Sequence, residues 1–237
     1  MLIKTKAIVI SALKYQEKSL IVKCYTQTDG LKTYFVNSVF SSKKNNQKIA
    51  YFQPLTILEI EANHKNKGSL EHFKEIKISY TYQSATTHLL KSSVMIFLAE
   101  VLANCINEGE KNEDLFSYLE TALIWFDTHT ETVNFHLILL LELTKFLGFY
   151  PDIFTINQPF FNKLKGTFCA LEDKQTLDIK ESELLKKLIE LKFYSNQKVF
   201  TGKDRRVLLN NVLDFYQIQL DGFKKPKSLD VLKEIFA

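Results

Sequence analysis

The chain has 237 residues, with 31 Lys+Arg against 27 Asp+Glu, five histidines and a formal net charge of +4; hydrophobic residues make up 46% and charged residues 24%. This balance excludes disordered, collagen-like and disulfide-scaffold classes, and the length suits one large domain or two small ones. The richest apolar stretches, 135 to 143 and 94 to 106, are interrupted by Glu142 and by Glu100 and Asn104, short of the about 20 apolar residues that a membrane span needs. Lysines interleave the first apolar run, Met1 to Lys6, with no small-residue cleavage site, which argues against a secretory signal and for a cytoplasmic protein. Cys24, Cys105 and Cys169 are scattered and lack CxxC spacing. They fit a reducing compartment, argue against structural zinc and are expected to be small buried hydrophobes.

In chain order, residues 2–13, 18–27, 31–40, 52–62 and 73–80 are rich in Ile, Val, Thr, Tyr and Phe and partly alternate, which predicts five strands. In the second, Leu20, Val22, Cys24 and Thr26 share one face. Asp29-Gly30 is a hairpin signal, and the polar stretch 41–48 is a longer loop. Five short strands in about 80 residues suit a small closed barrel of the OB type, since closure removes exposed edges. Beyond residue 84 the period lengthens: Leu90, Val94, Phe97, Val101 and Cys105 lie on one helical stripe. Asn112 is placed to cap a second helix carrying Phe116, Leu119, Leu123 and Phe126, and Val133 to Leu147 forms a third, ended by Gly148 and Pro151. Asp178 with Glu181 resembles a capping box. Asp204 precedes a helix with Leu208, Val212 and Phe215, Ser228 caps a last short helix through Ile235, and residues 150–176 are irregular or weakly stranded. The fold class is therefore α+β, a five-stranded OB-type barrel over 1–80 followed by a helical domain over 81–237.

Charge changes at the same boundary. Residues 1–80 hold 13 Lys and 6 Asp+Glu, net +7, and the remainder is net −3. A basic front module is suited to polyanions; the ordinary alternative is a solvated lysine-rich surface. Lysines and aromatics interleave there, as single-strand binding requires, with ammonium groups on phosphates and rings for stacked bases. The candidate nucleic-acid contacts are Lys6, Lys14, Tyr15, Lys18, Lys23, Lys32, Tyr34, Lys43, Lys44 and Lys48. About half the rings of a small barrel must face its core, so the loop lysines 43, 44 and 48 carry most weight. No arginine occurs before Arg205. Lysine acts as a compact charge on phosphate, whereas base reading leans on arginine forks, so any binding is expected to ignore sequence.

Catalytic signatures are absent: no GxGxxG, GxSxG or HExxH. Gly202-Lys203-Asp204 lacks the upstream glycine and hydroxyl of a phosphate loop and is expected as a loop before a helix. The five histidines form no i, i+3 or i+4 pair and are expected at the surface or half-buried, and Glu108, Glu110, Glu113 and Asp114 as a solvated turn. Arg205 and Arg206, the only arginines, fall in the first turn of a helix, where the dipole disfavours cations. An acidic peptide or a neighbouring carboxylate would offset that.

Segments AIVISALKYQEKSLIVKCYTQTDGL (7–31), FQPLTILEIE (52–61), SSVMIFLAEVL (92–102), LTKFLGFYPDI (143–153) and KSLDVLKEIF (227–236) together resemble the bacterial recombination mediator RecO family, in its Bacteroidetes-like form, nearly end to end. Tyr15, Glu17, Ser19, Thr26 and Gly30 occupy the family's opening Tyr-x-Glu-x-Ser element and Thr-x-x-x-Gly turn. The resemblance implies an OB domain and a helical domain, binding of single- and double-stranded DNA, strand annealing and, with RecR, loading of RecA onto DNA coated by SSB, without catalysis or cofactor. It places Lys43 and Lys44 on the family's basic pair. By charge alone, Lys145, Arg205 and Arg206 are candidates for the SSB tail. Many members carry four zinc-binding cysteines after the LGF-x-P segment; here that stretch holds only Cys169, so zinc is not carried over. The rival readings are an RNA-binding or adaptor OB protein, and an enzyme whose site is assembled from distant residues.

Overall fold

The computed structural model describes residues 2–37, 47–65, 70–195 and 199–235. Strands β1 (Leu2–Tyr15), β2 (Ser19–Thr26), β3 (Gly30–Val36), β4 (Ile57–Asn63) and β5 (His72–Tyr80) form an antiparallel sheet in the order β3-β2-β1-β4-β5. The long β1 serves both halves: its first residues pair with β4 and its later ones with β2, with a bulge between Val9 and Ser11 that bends the strand. A parallel bridge of Tyr34 to Glu71 joins the two edges, with Glu71 N–H donating to Thr33 O (2.8 Å) and Phe35 N–H donating to Glu71 O (2.9 Å). This connectivity is that of the five-stranded OB barrel the sequence predicts. Its core is made by the inward residues, among them Ala7, Val9, Leu20, Val22, Cys24, Tyr34, Leu58 and Ile60.

The fourth strand starts later than expected. Gln47–Phe52 is a 3-10 turn and Leu55 has φ 60°. Leu55 N–H donates to Val9 O (2.8 Å) and Val9 N–H to Thr56 O (3.0 Å), so the segment before β4 continues the pairing with β1 past Ile8 and satisfies the Val9 backbone.

Helices α1 (Leu89–Cys105) and α2 (Glu113–Thr128) follow. Val94, Phe97, Val101 and Cys105 are buried as their spacing predicts, and Leu115 N–H donates to the Asn112 side chain (2.9 Å), the expected cap. Compactness groups these helices with the barrel: one unit runs to Thr128 and takes in Pro226–Ser228, and the other runs from His129 to Lys225 and resumes at Leu229. The composition boundary at residue 80 thus parts sheet from helices, and the compact units part elsewhere. Asp127 explains why. Its carboxylate accepts from Tyr80 Oη (2.9 Å) and from the N–H groups of Gln83, Ser84 and Ala85 (2.9, 2.8 and 2.7 Å). Burial alone would raise this carboxyl, yet those donors hold it below the usual carboxylate range. Buried Lys91 donates to the Phe126 and Asp127 carbonyls (2.7 and 2.9 Å), placing a cation at the C-terminus of α2.

The second unit is built on α3 (Phe135–Phe146), buried on nearly every face, with α4 (Ile179–Glu190), α5 (Gly202–Gln219) and α6 (Leu229–Ile235). Tyr216 Oη donates to Leu140 O at 2.6 Å. The Asp178–Glu181 capping box is present. The α5 cap is Thr201, whose hydroxyl accepts from the Asp204 N–H while the Asp204 carboxylate accepts from the Thr201 N–H, so Gly202-Lys203-Asp204, expected as a loop before the helix, is its first turn. Ser228 precedes α6, but its N–H and hydroxyl both donate to Glu100 (2.9 and 2.8 Å). Between α3 and α4 lies a small lobe with β6 (Phe160–Asn162) and β7 (Thr167–Cys169). Buried Asn162 holds it: Oδ1 accepts from Leu164 and Lys165 N–H (3.0 and 2.9 Å), and Nδ2 donates to Asp173 (2.9 Å). Cys169 is half-buried, not buried as expected, and its thiol donates to Leu171 O; one sulfur does not supply a four-ligand zinc site. Among the described residues no helix is long and apolar enough to cross a membrane.

Candidate nucleic-acid interface

The register of the first three strands determines which side chains leave the barrel. On β1, Ser11, Leu13 and Tyr15 face Lys23, Ile21 and Ser19 of β2, and on β3 Thr33 and Phe35 face Lys23 and Ile21. These alternate with the core positions Val22, Cys24 and Tyr34, so they share the outer face. Leu13 is 66% exposed and Tyr15 44%. The Tyr15 ring meets Phe35 edge-on at 6.1 Å, and Phe35 meets His72 at the start of β5 at 6.0 Å. An apolar, aromatic face therefore spans from β1 to β5, with Lys23 in the adjoining Ser11–Thr33 row.

The candidate lysines separate into two groups. Lys6 is paired with Glu120 at 2.7 Å, as are Lys4 with Glu59, Lys74 with Glu61 and Lys77 with Glu75. These pairs lie on the first half of β1, on β4 and on β5. Lys14 and Lys18 are exposed around the turn between β1 and β2, and Lys23 is half-buried in mid-strand. Lys18 and Lys23 form no ion pair among the described residues. Lys32 pairs by register with Cys24, on the opposite side from Lys23, and its charge helps lower the His64 pKa. Lys43 and Lys44 lie outside the described residues, as does the Lys48 side chain.

Tyr34 requires a correction. It is fully buried, stacked on Phe73 with ring centroids 4.0 Å apart and hydrogen-bonded to His64 Nε2 at 2.7 Å. A ring with no exposed face cannot stack a base. The hairpin register contains the signal that would have excluded it: with Gly30 opposite Thr26, Tyr34 falls opposite Val22 and joins the core face, which promotes its neighbour Phe35 to the surface instead. His64, expected at the surface or half-buried, lies in the barrel with Nδ1 3.5 Å from Asp29 Oδ2. Burial lowers its pKa, with Asp29 and Glu71 opposing. His136, also buried, is pushed down to about 3 by burial and by Arg205. Neither position shows in spacing alone, because burial of a polar ring depends on partners distant in sequence.

The three candidates for an acidic tail lie on α3 and in the first turn of α5. Lys145 pairs with Glu142 at 2.6 Å and lies 4.6 Å over the Tyr150 ring. Arg205 is half-buried and donates to Phe200 O at 2.7 Å, which offsets its place in the first turn of α5. Arg206 is exposed.

Comparison with known proteins adds to this geometry. Residues 1–82 match the family model described as Recombination protein O N terminal, and residues 87–229 the one described as Recombination protein O C terminal. Curated relatives named DNA repair protein RecO are similar over all of this chain and all of their own: 60% identical in Flavobacterium johnsoniae, 45% in Christiangramia forsetii and 25% in Porphyromonas gingivalis. The OB-type barrel with its helical continuation and these end-to-end matches lead to one conclusion: the chain belongs to the recombination protein O family.

Proposed function

We propose that the protein is a DNA-repair mediator that holds single- and double-stranded DNA without regard to sequence, anneals complementary strands and, with RecR, helps load RecA onto SSB-coated DNA, acting without a catalytic centre. The observation that carries this reading is the division of the front-module lysines: Lys4 and Lys6 on early β1 and Lys74 and Lys77 on β5 are matched by carboxylates, while exposed Lys18 and half-buried Lys23 form no ion pair among the described residues. Unmatched ammonium groups release counterions when phosphate replaces solvent, and screening of two phosphate chains is what annealing needs. The barrel is the DNA-holding part and the helical part the partner-binding part, with Lys145, Arg205 and Arg206 as contacts for the acidic SSB tail.

Fluorescence titration of labelled single-stranded DNA at several salt concentrations, with an SSB-tail peptide measured alongside, tests the proposal. With about six phosphates engaged, log affinity falls against log salt with a slope near −4. A slope near zero overturns the phosphate reading, and a preference for RNA with no peptide binding transfers the protein to the adaptor class.

A further inference from the structure

β3 and β5 run side by side only at the Tyr34–Glu71 bridge. Beyond it the described ladder pairs β5 with β4 alone, and the two strands diverge around a cleft of about 490 Å³, within the range of small-ligand sites, roughly 300–1,000 Å³. Phe35 and His72 line it where the outer face of the barrel arrives, with Tyr51 half-buried and Phe52 and Phe73 further in. The Phe73 ring is itself fixed, stacked on Tyr34 at 4.0 Å and on Phe52 at 6.1 Å. From this geometry we infer that the cleft takes an unpaired base of a single strand, and that Tyr15, Phe35 and His72 lead the strand into it.

Two observations favour this occupant, and the Tyr15, Phe35 and His72 rings, meeting edge to face at 6.1 and 6.0 Å, form a continuous aromatic track toward it. Rings line the cleft on more than one side, and aromatic stacking accepts any base, since each has a π-face. Among the described residues the edge of β5 away from β4 has no ladder partner beyond the bridge, and a strand edge can offer backbone donors and acceptors to the rim of a base. A base inside a duplex cannot enter without being unpaired, so the cleft distinguishes single strands where the lysines do not.

The inference rests on the reading that this face meets nucleic acid, and the test separates the two. Two single strands of equal length and phosphate number, one intact and one with abasic positions at its centre, are titrated against the full-length protein across salt. The intact strand is expected to bind about 5- to 150-fold more tightly, at an unchanged salt slope. Phe35→Leu with Tyr51→Leu removes the rings but keeps apolar bulk; it is expected to abolish most of that difference at an unchanged salt slope, with thermal melting confirming the fold. Equal affinity for the two strands, or a difference that survives in a folded double variant, overturns the base cleft while a steep salt slope still supports phosphate binding. A flat slope removes both.

Discussion

At Gly30 the chain has φ 67°, and a Cβ placed there would come within 2.3 Å of the Glu110 carbonyl oxygen. The Asp29-Gly30 signal is legible as a turn. Its second role is not, because the opposing backbone comes from about 80 residues away. Gly30→Ala is expected to destabilise by at least about 1–3 kcal/mol from the left-handed conformation alone, before the clash is counted, as denaturant unfolding would read. His136 makes a second residue-level prediction. Its folded pKa lies near 3 against 6.5 when unfolded, so between those values the unfolded chain binds a proton that the folded one refuses. Stability is full above about pH 6.5 and falls as pH drops through the window toward 3, by something on the order of a few kcal/mol. Thermal melts across pH 7 to 4.5 should show the decline, and His136→Gln should flatten it.

At the scale of elements, strand and helix identity followed from periodicity: all five strands and the first three helices fall where the period changes from two to about 3.6, and Asn112 and Asp178 cap as their side chains predict. The failures lie where local chemistry had a rival nearby. Thr201 caps α5 and draws Gly202-Lys203-Asp204 into its first turn, and Glu100 took the Ser228 hydroxyl. The lobe between α3 and α4 was legible only as irregular, since its order comes from one amide bridging two turns. Asn162→Ala leaves buried donors unmet and is expected to cost about 1–3 kcal/mol, measured as a lowered Tm. A chelator should leave the Tm of the unaltered protein unchanged.

For the whole molecule, net charge by segment marks the basic front module, but it could not say which lysines are matched by carboxylates, and that sorting is what defines the proposed face. Lys18→Glu with Lys23→Glu is expected to reduce the magnitude of the salt slope by about 1.4, two phosphates at about 0.7 each, whereas Lys74→Glu, which loses a paired charge, should change it far less. The Asp127 carboxylate has a practical bearing on dissecting the chain. The amides it ties down, from Gln83 to Ala85, fall across the junction between the two family matches, so that evolutionary seam is mechanically among the firmer parts of the polypeptide. A protease added sparingly should spare it and nick instead near 128–133, where side chains are mostly exposed. A fragment stopped at residue 82 would leave the Tyr25 hydroxyl without its Asn112 acceptor and strip the barrel's helical backing, and should precipitate where one ending at Thr128 stays in solution.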